Sequence, residues 1–184
     1  SGQESHLVEW EGLLDRILQD SNLEIHEESV ARKQSVPMGT TCTMVVVSSG
    51  VAYISHIGDS RAYLYRRGKL TQLTTDHTWI QQQVSGGFLT VEQANVHPRR
   101  NVITQALGMS SDVEVDIVTE KLQDADILMV SSDGLHGLVD DGTIASVLGM
   151  SPIEESKDRL IAMAKEEGGH DNITVVLARV SELG

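Results

Sequence analysis

Aromatic residues are almost missing: one Phe, two Trp and three Tyr amount to 3% of 184 residues. Apolar residues still reach 40%, so a core must be built from Val, Ile, Leu, Met and Ala, which suits regular packing of helices and sheets. Cysteine is nearly absent as well. The single Cys42 excludes an intrachain disulfide and a thiolate metal cluster and fits a reducing compartment, so a cytoplasmic location is expected. Basic residues are scarce, 14 against 27 acidic ones, and the net charge of −13 repels phosphate backbones, which argues against a nucleic-acid partner. Long apolar runs are absent. Stretches such as Ile127 to Val130 fall far short of the ~20 residues that span a bilayer, and no signal-like segment opens the chain, so no membrane partner is expected.

The length of 184 residues suits one domain, 1–184, with a single core. From Leu7 to about Ile25, Trp10, Leu14 and Ile17, widened by Leu13 and Leu18, recur at helical spacing. Glu27 to Pro37 is polar and aperiodic and reads as a loop. Thr43 to Val47 and Val51 to Ile57 flank Ser49-Gly50 as a hairpin, and Ala62 to Tyr65 and Leu70 to Leu73 repeat the device around Arg67-Gly68, which suggests an antiparallel meander. Thr78 to Leu107 reads as short helical pieces leaving the sheet. Val113 to Ile117 alternates with period two and reads as a strand with one solvated face. Asp126 to Ser131 shows no alternation and should be a central strand. Ile144 to Leu148 and Ile153 to Ala164 read as helices and Ile173 to Val180 as a last strand. Grouped strands and grouped helices give an α+β fold, an antiparallel β-sandwich flanked by helices.

Three aspartates share one context, an apolar strand adjoining a short polar turn: Gly58-Asp59-Ser60, Ser132-Asp133-Gly134 and His170-Asp171-Asn172. Each tripeptide alone is ordinary turn chemistry. Converging at one sheet edge, the carboxylates would form an oxygen-only site that selects Mg2+ or Mn2+ over zinc or copper. Unneutralised carboxylates ~4 Å apart repel by about 1 kcal/mol per pair in water and more in protein, so such a cluster calls for cations or a raised pKa. Two such metals activate water and polarise a phosphoryl oxygen, the chemistry of phosphoester hydrolysis.

Other chemistry lacks a scaffold. No His-x-x-x-His or His-Glu-x-x-His occurs among the seven histidines, and Ser132 lacks a Gly-x-Ser-x-Gly elbow. His77 and His97 read as structural residues, Arg99-Arg100 as a solvated loop, and Gly86-Gly87 is too short to cradle a nucleotide.

Five segments in order, "GTTCTMVVV" (39 to 47), "HIGDSRAYLYRRGKLTQLTTDHT" (56 to 78), "HPRRNVITQALG" (97 to 108), "DILMVSSDGLHGLVDD" (126 to 141) and "GGHDNITVVLARV" (168 to 180), resemble the metal-dependent serine/threonine protein phosphatases of type 2C, bacterial branch. The resemblance implies that Asp133 and Asp171 bind the catalytic Mn2+ or Mg2+ pair, and that Asp59 binds an additional metal with Asp133. It implies a flap over about 79–108 beside the active site. Phosphorylated protein substrates and an opposing serine/threonine kinase follow from the same resemblance.

One departure stands out. The family opens on strands that carry a phosphate-binding arginine and an Asp-Gly-x-Gly-Gly motif whose aspartate bridges both metals, and residues 1–38 contain neither. The expectation is a sandwich missing its N-terminal strands and impaired in hydrolysis, since the lost charges oppose those developing on the phosphoryl oxygens. An inactive phosphatase-like module that acts by protein binding is the alternative. An uncovered sheet edge would also favour a dimer.

Overall fold

Runs of β-branched, aromatic and aliphatic residues make the strands, and left-handed turn residues close the two hairpins. The computed structural model describes the backbone of residues 2–33 and 36–181 and, within these ranges, the side chains from residue 10 onward. Cys42–Ser48 (β1) and Val51–Ile57 (β2) are joined by Ser49-Gly50, with φ of 50° and 74°, the geometry of a tight two-residue hairpin. Arg61–Arg66 (β3) and Lys69–Gln72 (β4) are joined in the same way by Arg67-Gly68, with φ of 51° and 83°. Three further strands follow, Asp116–Lys121 (β5), Ile127–Ser131 (β6) and Val175–Arg179 (β7). The strands form a three-stranded sheet of order β1-β2-β5 and a four-stranded sheet of order β4-β3-β6-β7.

The α+β class expected from the sequence is the observed one, two antiparallel sheets with helices. The single meander is corrected. After β2 the chain changes sheets at Gly58-Asp59-Ser60, because a turn motif fixes the local bend and not the sheet that the next strand joins. β6 is internal, paired to β3 and β7 from Ile127 to Ser131, which explains its unalternating apolar run. The expected strand Val113 to Ile117 starts three residues late, at Asp116. Val113 and Val115 do bury apolar surface beside Leu18, Ile57 and Leu107, but the Val113 carbonyl accepts from Gln19 Nε2 (2.9 Å) instead of from a neighbouring strand.

The chain forms two compact units, Ser1–Met44, Tyr53–Asp59 and Thr75–Val118 in the first, and Val45–Ala52, Ser60–Thr74 and Thr119–Gly184 in the second. In the first, Gly2–Ala31 (α1) is longer than the periodicity suggests. Leu14 (1% exposed) and Leu18 (2%) form its buried seam, while Leu13 and Ile17 are each 41% exposed. The seam continues at helical spacing through polar residues, buried Asn22 and Ser29, so Glu27 to Ala31 is helix and not loop. Asn22 Oδ1 accepts from Gly108 N–H (2.7 Å) and its Nδ2 donates to the Ser110 and Ser111 carbonyls (3.0 and 3.2 Å). Ser29 Oγ accepts from Met38 N–H (2.8 Å). Within the expected loop, Gln34 and Ser35 lie outside the described residues. The segment after Thr78 carries the short helices Trp79–Ser85 (α2) and Val91–Asn95 (α3), as the sequence suggests.

In the second unit, Asp133–His136 (α4), Asp141–Met150 (α5) and Ile153–Glu166 (α6) share a core with the four-stranded sheet. Ser156, Leu160 and Ala164 line one stripe of α6, and Ile144, Val147 and Leu148 one face of α5. Full burial of each of the larger aliphatic side chains among these, Leu160, Ile144, Val147 and Leu148, contributes about 1.5–3 kcal/mol. At the start of β6, buried Asp126 accepts from Arg66 Nε and Nη2 (2.9 and 2.8 Å) and from Gln123 N–H (2.7 Å). Burial pushes its carboxyl up, but these hydrogen bonds outweigh that and hold it below the usual carboxylate range. Among the described residues no helix is long and apolar enough to cross a membrane.

Candidate metal centre

Asp59 follows β2 on a turn that only glycine can open. Gly58 has φ +106°, and a Cβ there would run into the Thr41 side chain. On its other side the glycine is gripped by one residue: His77 N–H donates to the Gly58 carbonyl (2.7 Å), and Gly58 N–H donates to His77 Nδ1 (3.2 Å). An imidazole nitrogen that accepts carries no proton, so Nε2 does, and it donates to Asp116 Oδ2 (3.1 Å). Asp59 itself is half-buried.

Asp133 opens α4, directly after Ser132 at the N-cap. The Ser132 hydroxyl turns away from the helix. It donates to the Asn172 carbonyl (2.8 Å) and accepts from Thr174 N–H (3.0 Å), and Ser132 N–H donates to the Thr174 carbonyl (3.1 Å). A Cβ on Gly134 would strike the Asn172 carbonyl, so glycine there permits the close approach. These bonds draw the turn that carries Asp133 against the turn that carries Asp171. Asp171 is exposed, and its Oδ1 accepts from Asn172 N–H (2.7 Å). Asp133 is half-buried.

Carboxylate oxygens are the donors that Mg2+ and Mn2+ take, and Mg2+ is commonly held by one or two carboxylates with water completing the shell. Asp133 and Asp171, on turns tied to each other, fit that chemistry. Among the described residues no group of three or more His, Cys, Asp or Glu side chains gathers closely enough to hold a metal ion.

His77 holds backbone and side-chain partners, in keeping with the structural reading from the sequence, whereas the link from Ser132 to Asn172 and Thr174 is one the sequence does not show. The signal for Ser132 in the sequence is its place directly before Asp133, at the end of an apolar run. Arg99 and Arg100 are exposed. The Arg99 guanidinium lies 5.5 Å from the Trp79 ring centroid, and the His97 ring lies 5.0 Å from the same indole.

Residues 3–83 match the family model described as protein phosphatase 2C. The serine/threonine phosphatase stp of Listeria monocytogenes is 35% identical over 170 residues, covering 92% of this chain and 68% of that protein. The chain belongs to the protein phosphatase 2C family. The family match begins inside α1 and takes in both Asp59 and His77. Serine/threonine protein phosphatase PstP of Mycobacterium tuberculosis is 42% identical over 143 residues, 78% of this chain. A crystal structure of the PstP catalytic domain in complex with two manganese ions superposes with a TM-score of 0.83 at 36% identity, covering 94% of this chain and 72% of that one. The chain spans 28% of PstP and 57% of a Streptococcus pyogenes relative.

Proposed function

We propose that the full-length protein hydrolyses phosphoserine and phosphothreonine on proteins with a pair of Mn2+ or Mg2+ ions, that Asp133 and Asp171 are ligands of that pair, and that Asp59 is a ligand of a further ion. The observation that carries the reading is the Ser132 hydroxyl bridging to Asn172 and Thr174, which ties together the two turns whose aspartates have the right donor chemistry. When bound, the ions would supply an activated water and polarise the phosphoryl group. The protein's own part is to fix the carboxylates, so that little reorganisation is needed as charge develops. The segment at about 79–108, with exposed Arg99 and Arg100, is the flap in this reading and meets the phosphorylated substrate. A serine/threonine kinase would be its counterpart in signalling, and the cytoplasm, consistent with the lone Cys42, its compartment.

Residues 1–184 contain no Asp-Gly-x-Gly-Gly, so the test uses the full-length protein. With Mn2+ it should release phosphate from a phosphothreonine peptide, and Asp133→Ala should lower the rate at least a hundredfold, ~2.7 kcal/mol of transition-state stabilisation. Absence of turnover by the unaltered protein would favour the alternative, a catalytically inactive phosphatase-like module that acts by protein binding or regulation.

A further inference from the structure

Every polar atom of His77 is engaged. Its N–H donates to the Gly58 carbonyl (2.7 Å) and its Nδ1 accepts from Gly58 N–H (3.2 Å), its Nε2–H reaches Asp116 at the start of β5 (3.1 Å), and its carbonyl accepts from Thr104 N–H (2.8 Å) near the end of the segment that carries α2 and α3. A histidine that merely fills a core needs one or two partners. This one joins the Asp59 turn, a strand start and the α2–α3 segment at a single point. The turn it grips is also the one whose φ of +106° no other side chain adopts readily, wedged against Thr41 on the opposite side.

We propose that His77 is a positioning residue for metal binding: by clamping Gly58 it sets the direction of the Asp59 carboxylate, and through Thr104 it couples that carboxylate to the α2–α3 segment. The inference rests on the reading of Asp59 as a ligand. Residues that orient metal ligands without touching the metal commonly account for about 10- to 100-fold in affinity.

Conservative variants separate this role from simple packing. The amide oxygen of His77→Asn falls near the position of Nδ1 and can still accept from Gly58 N–H, whereas the amide of His77→Gln falls near Nε2 and serves Asp116 instead. Mn2+ binding to the full-length protein would be followed by calorimetry, with thermal melts of each variant alongside. Asp59→Ala should remove or weaken one component of the isotherm. His77→Ala and His77→Gln should weaken that same component about tenfold, His77→Asn should restore most of it, and His77→Ala should add nothing in the Asp59→Ala background. Wild-type isotherms for His77→Ala and His77→Gln, with Asp59→Ala affected, would overturn the inference alone. An isotherm untouched by Asp59→Ala would remove the ligand reading and the inference with it. Equal losses with and without Asp59, or failure of all three His77 variants to fold, would leave His77 a packing residue and overturn its positioning role.

Discussion

At the scale of single residues the sharpest consequence of the fold is His56. It is fully buried on β2, its Nε2–H donates to the Thr75 carbonyl (3.1 Å) and its Nδ1 accepts from the Thr43 hydroxyl (2.9 Å). Burial, and then the neighbouring His77 ring at 4.9 Å, lower its pKa from 6.5 to about 4. The folded pKa lies below the unfolded one, so as pH drops through 6.5 the unfolded chain takes up a proton that the folded chain refuses. Stability is therefore lost between about pH 6.5 and 4, by up to about 3 kcal/mol, and this contribution levels off below pH 4. Urea titrations across that range should show His56→Gln, though less stable at pH 7, losing less stability than the wild type on acidification. Parallel losses would mean that His56 does not titrate as its burial requires. His56 opens one of the five motifs, but its burial and depressed pKa are not readable there, because its partners, Thr43 and Thr75, come from segments 13 and 19 residues away.

Elements were legible where their chemistry is local. The hairpins at Ser49-Gly50 and Arg67-Gly68 are visible because glycine supplies a left-handed turn between short runs rich in β-branched, aromatic or aliphatic residues, and β6 is visible because burial on both faces leaves no alternation. α1 was cut short for the converse reason. Its buried seam passes from Leu14 and Leu18 to Asn22 and Ser29, polar residues that count as solvent-facing until their distant partners are known. The Asn22 side chain satisfies Gly108 N–H and two carbonyls of the loop before β5, and Gly108 itself has φ +87° with no room for a Cβ beside Ile25. Asn22→Ala should cost about 2–3 kcal/mol, chiefly by stranding the buried Gly108 donor, with the loss read as a lower denaturation midpoint at unchanged m-value. A change below about 0.5 kcal/mol would place those loop contacts outside the folded core.

For the molecule as a whole, the acidic excess and the family were plain in the sequence, because five ordered motifs carry the resemblance, whereas the tie between the Asp133 and Asp171 turns was not, since it runs through the hydroxyl and backbone N–H of one serine to residues 40 and 42 positions on. A net charge of −13 also means that any divalent cation will stabilise the fold somewhat by screening, so metal-dependent stability alone identifies no site. Specific binding differs in size and in dependence on one carboxylate. At free Mn2+ a hundredfold above Kd, a single site that binds only the folded state adds about 2.7 kcal/mol, which for a domain of about 150–250 residues raises Tm by about 5–10 °C. The full-length protein should show that rise over a matched-ionic-strength EDTA control. In EDTA, Asp133→Asn should melt at or above the wild type, because one negative charge of a chain with a net charge of −13 has been removed, and with Mn2+ it should lose most of the gain. Equal Mn2+-induced rises in both proteins would assign the effect to screening and remove Asp133 from the metal centre.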